Sequence, residues 1–102
     1  MDSHKSIAHL LKILGNPIRL KILSSMANES KTVKNISEHL GLKQTTVSKH
    51  VALLKINGII EGKRNSSIMH YAIVDLQAKK LINSLVCHAI QTNNVLSSTE
   101  AD

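Results

Sequence analysis

The side chains best suited to chemistry in this chain form one short run, Lys43-Gln44-Thr45-Thr46-Val47-Ser48-Lys49. Hydroxyls, a carboxamide and cations in that order offer no nucleophile with a base and an orienting acid. Ser48 and Lys49 are adjacent and, on a helix, face different directions, so catalysis is not the expectation. What the run does offer is a row of hydrogen-bond donors and acceptors. At about 100° per residue, Thr45, Lys49 and Ala52 fall opposite Val47, Val51 and Leu54, with Thr46 and Ser48 on the flanks. Such an edge is flat enough to enter the major groove of a duplex. The hydroxyls can donate to or accept from base edges, Gln44 can pair with adenine, and Lys49 can reach a guanine edge or a phosphate. Lys63 and Arg64 add a second basic group some way downstream.

A reading edge needs a scaffold, and the flanking sequence supplies one. Val33, Ile36 and Leu40 share one helical stripe, and Val47, Val51 and Leu54 share another. Gly41 stands where a helix ends in a left-handed residue, so Gly41-Leu42-Lys43 makes a three-residue turn between two helices. This is a helix-turn-helix over Thr32 to Gly58. Upstream, Ile7, Leu10, Leu11 and Leu14 predict a first helix over 4–14. Gly15 stops it, Asn16 can cap the next, and Pro17 suits a first helical position. The second helix is expected over 17–27, with Ile18, Ile22 and Met26 as its core stripe and Leu20 and Leu23 widening it. Arg19 and Lys21 read equally well as solvated cations or as phosphate contacts.

Downstream the period changes. Ile68, His70 and Ala72 alternate with Met69, Tyr71 and Ile73, as strands do, and Lys63 to Ser67 read as the polar, basic tip of a hairpin. A hairpin directly after a helix-turn-helix is a wing, placed to meet the DNA backbone or minor groove. A last helix is expected from about Asp75 to Gln91, with more apolar circumference than one small core requires, which points to a partner. The fold class expected is mainly α with a small β-hairpin wing: a dimeric winged helix-turn-helix. Residues 1–91 form the domain, and 92–102 a polar, disordered tail.

Composition agrees. The chain has 102 residues and a formal charge of +6. Residues 43–64 hold five basic side chains against one acid, and the rest hold eight against six, so the excess is concentrated at the reading edge. A surface that displaces counterions from phosphates has this charge distribution. Tyr71 is the only aromatic of its kind, and Phe and Trp are absent, which removes the stacking platforms of single-strand and RNA binders and favours duplex DNA. No run is long and apolar enough to span a membrane, and the N-terminus does not read as a signal peptide, so a cytoplasmic location is expected. A single cysteine, Cys87, excludes an intrachain disulfide. It reads as a small apolar filler, with an intersubunit disulfide as the sharper alternative.

The runs GNPIRLKIL and ISEHLGLKQTTVSKHVALLKINGII, followed by a basic hairpin ending HYAI, resemble the arsenic-repressor (ArsR/SmtB) family of winged-helix regulators over roughly residues 7–90. The resemblance implies a homodimer joined by the first and last helices, bound to an imperfect palindrome near a promoter and repressing it. The residues expected to contact DNA, from the helical arc and the basic hairpin, are Lys43, Gln44, Thr45, Thr46, Ser48, Lys49, Lys63 and Arg64. Lys43 departs from the family, which usually has Ser there. The Cys-x-Cys of metal-sensing relatives is replaced by Lys31-Thr32-Val33-Lys34-Asn35. Their interhelical zinc set corresponds here to Asp75, Gln77, His88 and Gln91, and neutral carboxamides are poor zinc donors. His4, His9, His39, His50 and His70 are scattered, with His50 expected to fill space or bond the backbone. No metal or cofactor is therefore expected. The competing function is a winged-helix module for protein association, which would expose aliphatic or aromatic anchors in place of hydroxyls.

Overall fold

The computed structural model describes residues 3–87. In chain order these form α1 (Ser3–Leu14), α2 (Pro17–Ser25), α3 (Val33–Leu40), α4 (Gln44–Ile56), β1 (Ile60–Asn65), β2 (Ile68–Ile73) and a last helix, α5, over residues 76–87. The end expected for α5 at Gln91 and the tail expected from residue 92 lie outside the described residues.

Three of the helices, α2, α3 and α5, start where a side chain takes up free amides. Asn16 Oδ1 accepts from the backbone N–H groups of Ile18 and Arg19 at 2.9 and 3.2 Å, directly ahead of Pro17. Thr32 and Asn35 cap α3 reciprocally: Thr32 Oγ1 accepts from Asn35 N–H, and Asn35 Oδ1 from Thr32 N–H. Asp75 opens α5, its carboxylate accepting from Ala78 N–H at 2.9 Å. Glycines end α3 and α4. Gly41 and Gly58 have φ of 67° and 73°, the left-handed region that costs glycine no side-chain clash. After Gly58 the N–H of Ile59 turns back to the Leu54 carbonyl, and both residues are buried, which locks the chain into β1.

The core is one apolar cluster to which every element contributes. Ile22 and Leu23 of α2, Ile36 of α3, Val47 and Leu54 of α4, Ile60 of β1 and Ile82 of α5 are all sealed from solvent. Two details differ from the sequence reading of the first two helices. Ile13 is buried with Leu10 and Leu14, while Ile7 and Leu11 remain 42% and 51% exposed, so the inward stripe of α1 is rotated toward its C-terminal end. Helix α2 stops at Ser25, because Met26 leaves the helical region; its N–H closes onto the Leu23 carbonyl at 3.0 Å, and that of Ala27 onto the Ser24 carbonyl at 3.2 Å.

The hairpin pairs Ile60 with Ile73 and Asn65 with Ile68 in antiparallel register. A bridge adds Lys31 to the outer edge of β2: Lys31 N–H donates to Tyr71 O at 2.9 Å and Tyr71 N–H to Lys31 O at 2.8 Å. Tyr71 thus turns both backbone groups away from Gly62, its partner on β1, as alternate residues of an antiparallel strand do. The loop before α3 is thereby tied to the wing.

Replacing Asn16 by Ala removes the acceptor for two amides at the start of α2. The expected loss is about 1 kcal/mol, read as a lower urea midpoint with unchanged slope. Asn16→Asp, which keeps the acceptor, is expected to lose far less.

Candidate nucleic-acid interface

The turn between α3 and α4 sets how the reading edge is presented. Ser37, the buried polar residue of the core, closes this turn twice: its hydroxyl donates to Leu42 O, and its carbonyl accepts the N–H of Leu42 at 3.0 Å. Gly41, left-handed at φ 67°, makes the reversal that brings Leu42 N–H onto that carbonyl. Ser37 is thus a positioning residue that the sequence reading missed. Its signal was a hydroxyl one turn before a left-handed glycine, on the inward side of an otherwise apolar stripe.

Helix α4 is buried on one stripe and bare on the other. Val47, Val51 and Leu54 are buried, Thr46 is half-buried, and Gln44, Thr45, Ser48, Lys49 and Ala52 are exposed. Lys43 is the N-cap residue, extended at φ −67° and ψ 143°, and its side chain makes no capping bond. A cation there opposes the helix dipole, and it is free to meet an anion instead. Lys43, Lys49, Lys63 and Arg64 have no ion-pair or side-chain hydrogen-bond partner among the described residues, whereas Lys31 is held by Glu29 at 2.7 Å.

Lys63 and Arg64 are not at the tip of the wing. Both lie inside β1, opposite His70 and Met69, and the turn is Ser66-Ser67 with Ser66 left-handed at φ 59°. Consecutive strand residues point to opposite faces. Arg64 shares the side of Ile60, Gly62, Met69 and Tyr71, beyond the end of the core, and Lys63 shares the outer side with Glu61 and His70. The two cations therefore leave the wing in opposite directions. Gly62 lets this ribbon pack, since a Cβ there would stand 2.8 Å from Met69 Sδ and 2.9 Å from Tyr71 Cε1.

Arg19 is half-buried and bonded within the protein. Its Nη1 donates to Ile13 O at 3.0 Å, and its Nε donates to His50 Nδ1 at 3.4 Å. His50, expected to fill space or bond the backbone, therefore bonds a side chain of α2. Partial burial lowers its pKa below 6.5, and the charge of Arg19 lowers it further. His9 Nε2 meets Asn57 Oδ1 at 3.3 Å. Cys87 is exposed, so it is not the core filler expected of it. Asp75 serves as a helix cap, while His88 and Gln91 lie outside the described residues. Among the described residues, no group of three or more His, Cys, Asp or Glu comes together as a metal site, and no helix is long and apolar enough to cross a membrane.

A helix-turn-helix with a hydroxyl-rich exposed edge, followed by a basic two-stranded wing, defines a winged-helix DNA-binding transcriptional regulator rather than an enzyme. Residues 16–61 match the model of the arsR family of bacterial regulatory proteins. The chain is 30% identical over 79 residues to the Biofilm growth-associated repressor of Xylella fastidiosa, covering 78% of this chain and 69% of that protein. It is 35% identical over 83 residues to an uncharacterised HTH-type transcriptional regulator of Methanocaldococcus jannaschii, covering 80% and 93%. A solved structure of a predicted DNA-binding transcriptional regulator from E. coli superposes with a TM-score of 0.79 at 26% identity, over 81% of this chain and 88% of that one. The chain belongs to the arsR family.

The lowered pKa of His50 fixes a sign. Above pH 6.5 the imidazole is neutral in folded and unfolded chains alike, and its contribution to stability is fully present; as pH falls through the folded value, protons bind the unfolded chain first and that contribution is lost. In an NMR titration the His50 ring is expected to have its midpoint below 6.5, moving up when Arg19 is replaced by Leu.

Proposed function

We propose that this protein is a homodimeric, sequence-specific repressor that binds an imperfect DNA palindrome. Its α4 edge enters the major groove, and the wing lies along the adjacent backbone. The observation that carries the reading is the one-sided burial of α4: Gln44, Thr45, Ser48 and Lys49 are exposed on a helix whose other face is locked into the core. Small hydroxyls and a carboxamide suit base edges, and they make a poor protein-docking face because they give a partner no apolar anchor. Thr46, half-buried, serves at the flank of the same edge. Lys43 meets a phosphate at the helix N-terminus, and Lys63 and Arg64 supply wing contacts from its two faces. Repression is supported by the name of the Xylella relative, and action on chromosomal DNA puts the protein in the cytoplasm.

Dimerisation follows from the apolar residues that one chain leaves uncovered. On α1, Ile7 and Leu11 are 42% and 51% exposed; on α5, Leu76 and Leu85 are 65% and 43% exposed. Ile7, Leu10, Gln77, Lys80 and Leu81 line an open groove between these two helices, mostly apolar. A second copy offering the same faces covers both sets at once, as a two-fold interface does. The reading edges then face successive turns of the duplex.

Anisotropy titrations of duplexes selected from a random library test the DNA reading. Affinity is expected to fall steeply with salt, at a slope of about −0.9 per phosphate contact. Replacing Lys63 and Arg64 together by Ala should weaken all duplexes alike and reduce the slope by about two, whereas Gln44→Ala or Thr46→Ala should change which duplexes are selected. Absence of binding at low salt removes the reading. Sedimentation at micromolar concentration is expected to give twice the chain mass, and Leu11→Asp with Leu85→Asp to give the monomer.

A further inference from the structure

Two polar links join α1 to the reading helix, and neither belongs to the reading edge. At the middle of α4, Arg19 is the relay: Nη1 holds the Ile13 carbonyl at the end of α1 at 3.0 Å, and Nε holds His50 Nδ1 at 3.4 Å. At the end of α4, His9 Nε2 meets Asn57 Oδ1 at 3.3 Å, while Asn57 Nδ2 donates back to Leu53 O at 2.9 Å. That second bond fixes the amide with its oxygen toward His9, so His9 Nε2 must be the donor. The two histidines are thus held in opposite roles. His9 donates, and protonation leaves its bond intact; His50 accepts, and protonation at Nδ1 removes its bond.

We infer that Arg19 is a positioning residue for DNA reading: with the His9–Asn57 link, it fixes α4 to α1 at two points and so makes the aim of the reading edge depend on the helix at the dimer seam. The inference rests on the function proposed above. The apolar stripe of α4, Val47, Val51 and Leu54, is buried through contacts that are non-directional. Directional bonds at two separated points add resistance to rotation and slide. Arg19 suits the relay because the planar guanidinium donates from separate nitrogens in fixed directions, toward a carbonyl and a ring nitrogen at once. Lys can offer a charge there and one contact, not that fork. Other charges near His50 do not compete for it: on α4 the neighbouring Lys49 is exposed, on α1 Lys12 is exposed, and His9 is bound to Asn57.

The test uses the full chain and two duplexes: one selected by the wild-type protein from a random library, and a scrambled duplex of equal length and composition. The readout is the ratio of the two affinities, from which a general gain or loss of charge cancels. Arg19→Lys and His9→Ala are each expected to lower the ratio about fivefold, the scale set by one net hydrogen bond, with scrambled-duplex affinity and sedimentation mass unchanged. For the wild type, the ratio is expected to fall by roughly the same factor once the pH has been lowered through the depressed pKa of His50. His50→Asn, which leaves a neutral acceptor at the Nδ1 position, should keep the ratio and abolish that fall. It serves also if Arg19→Lys proves unfolded by circular dichroism. Wild-type protein without any preference between the duplexes sinks the proposed function. Wild-type preference that survives both Arg19→Lys and His9→Ala, a loss that tracks conversion to monomer, or a fall with pH that persists in His50→Asn overturns the positioning role.

Discussion

Val47, Val51 and Leu54 are sealed in the core while Thr45, Ser48 and Lys49, on the same turns, stand in water. That asymmetry dictates much of the remaining architecture. A helix of 13 residues, at about 1.5 Å per residue, spans about 20 Å, and a stripe of three side chains must anchor it against the pull of a bound duplex. The core therefore converges on α4. Ile36 packs from α3, Ile22 and Leu23 from α2, and Ile60 from the wing. The turn before the helix is closed by Ser37 and Gly41, and the turn after it by Gly58 and Ile59. Burial gives depth, and the capped ends give direction.

A chain of this size cannot both build that anchor and cover every apolar residue it carries. Domains near this length bury a smaller share of their surface than larger ones do. Ile7 and Leu11 on α1 and Leu76 and Leu85 on α5 stay open, and so do Ile56 at the end of α4, Ile68 in the wing and Val74 after it.

Much of this was legible in the sequence because the signals are local. The 3.6-residue stripes of α3 and α4, the left-handed Gly41 and the cap at Asn16 each depend on residues within one turn of each other, and the structure has each of them. What escaped depends on pairs far apart in the chain. Arg19 and His50 are 31 residues apart, and nothing local tells a cation on α2 that its partner is an imidazole on α4. The Lys31–Tyr71 bridge is equally remote in sequence. The wing failed differently. Alternation was read correctly in β2, but the charged run Lys63-Arg64-Asn65 has no apolar member to reveal its period, so strand residues were taken for a tip. Cys87 shows the same limit from the other side, because an apolar neighbourhood in sequence does not fix which arc of a helix a residue occupies.

Lys43 draws these points together. As N-cap it contributes no capping bond, and it faces the positive end of the α4 dipole, a conflict worth about 0.3–1 kcal/mol. Val47 N–H already bonds to Lys43 O at 3.1 Å, so the helix starts without help from the side chain, through the turn that Ser37 holds. The free protein thus carries a small electrostatic strain at the point where a duplex phosphate would approach. An anion there would be attracted by the lysine and the helix terminus together, and the strain would become attraction on binding. A serine in that place would satisfy the helix in the absence of DNA and would lose part of its cap when DNA arrived. With an anion at its N-terminus, α4 would be favoured by a lysine that gives it no cap when alone, a difference that would act on binding free energy rather than on the fold.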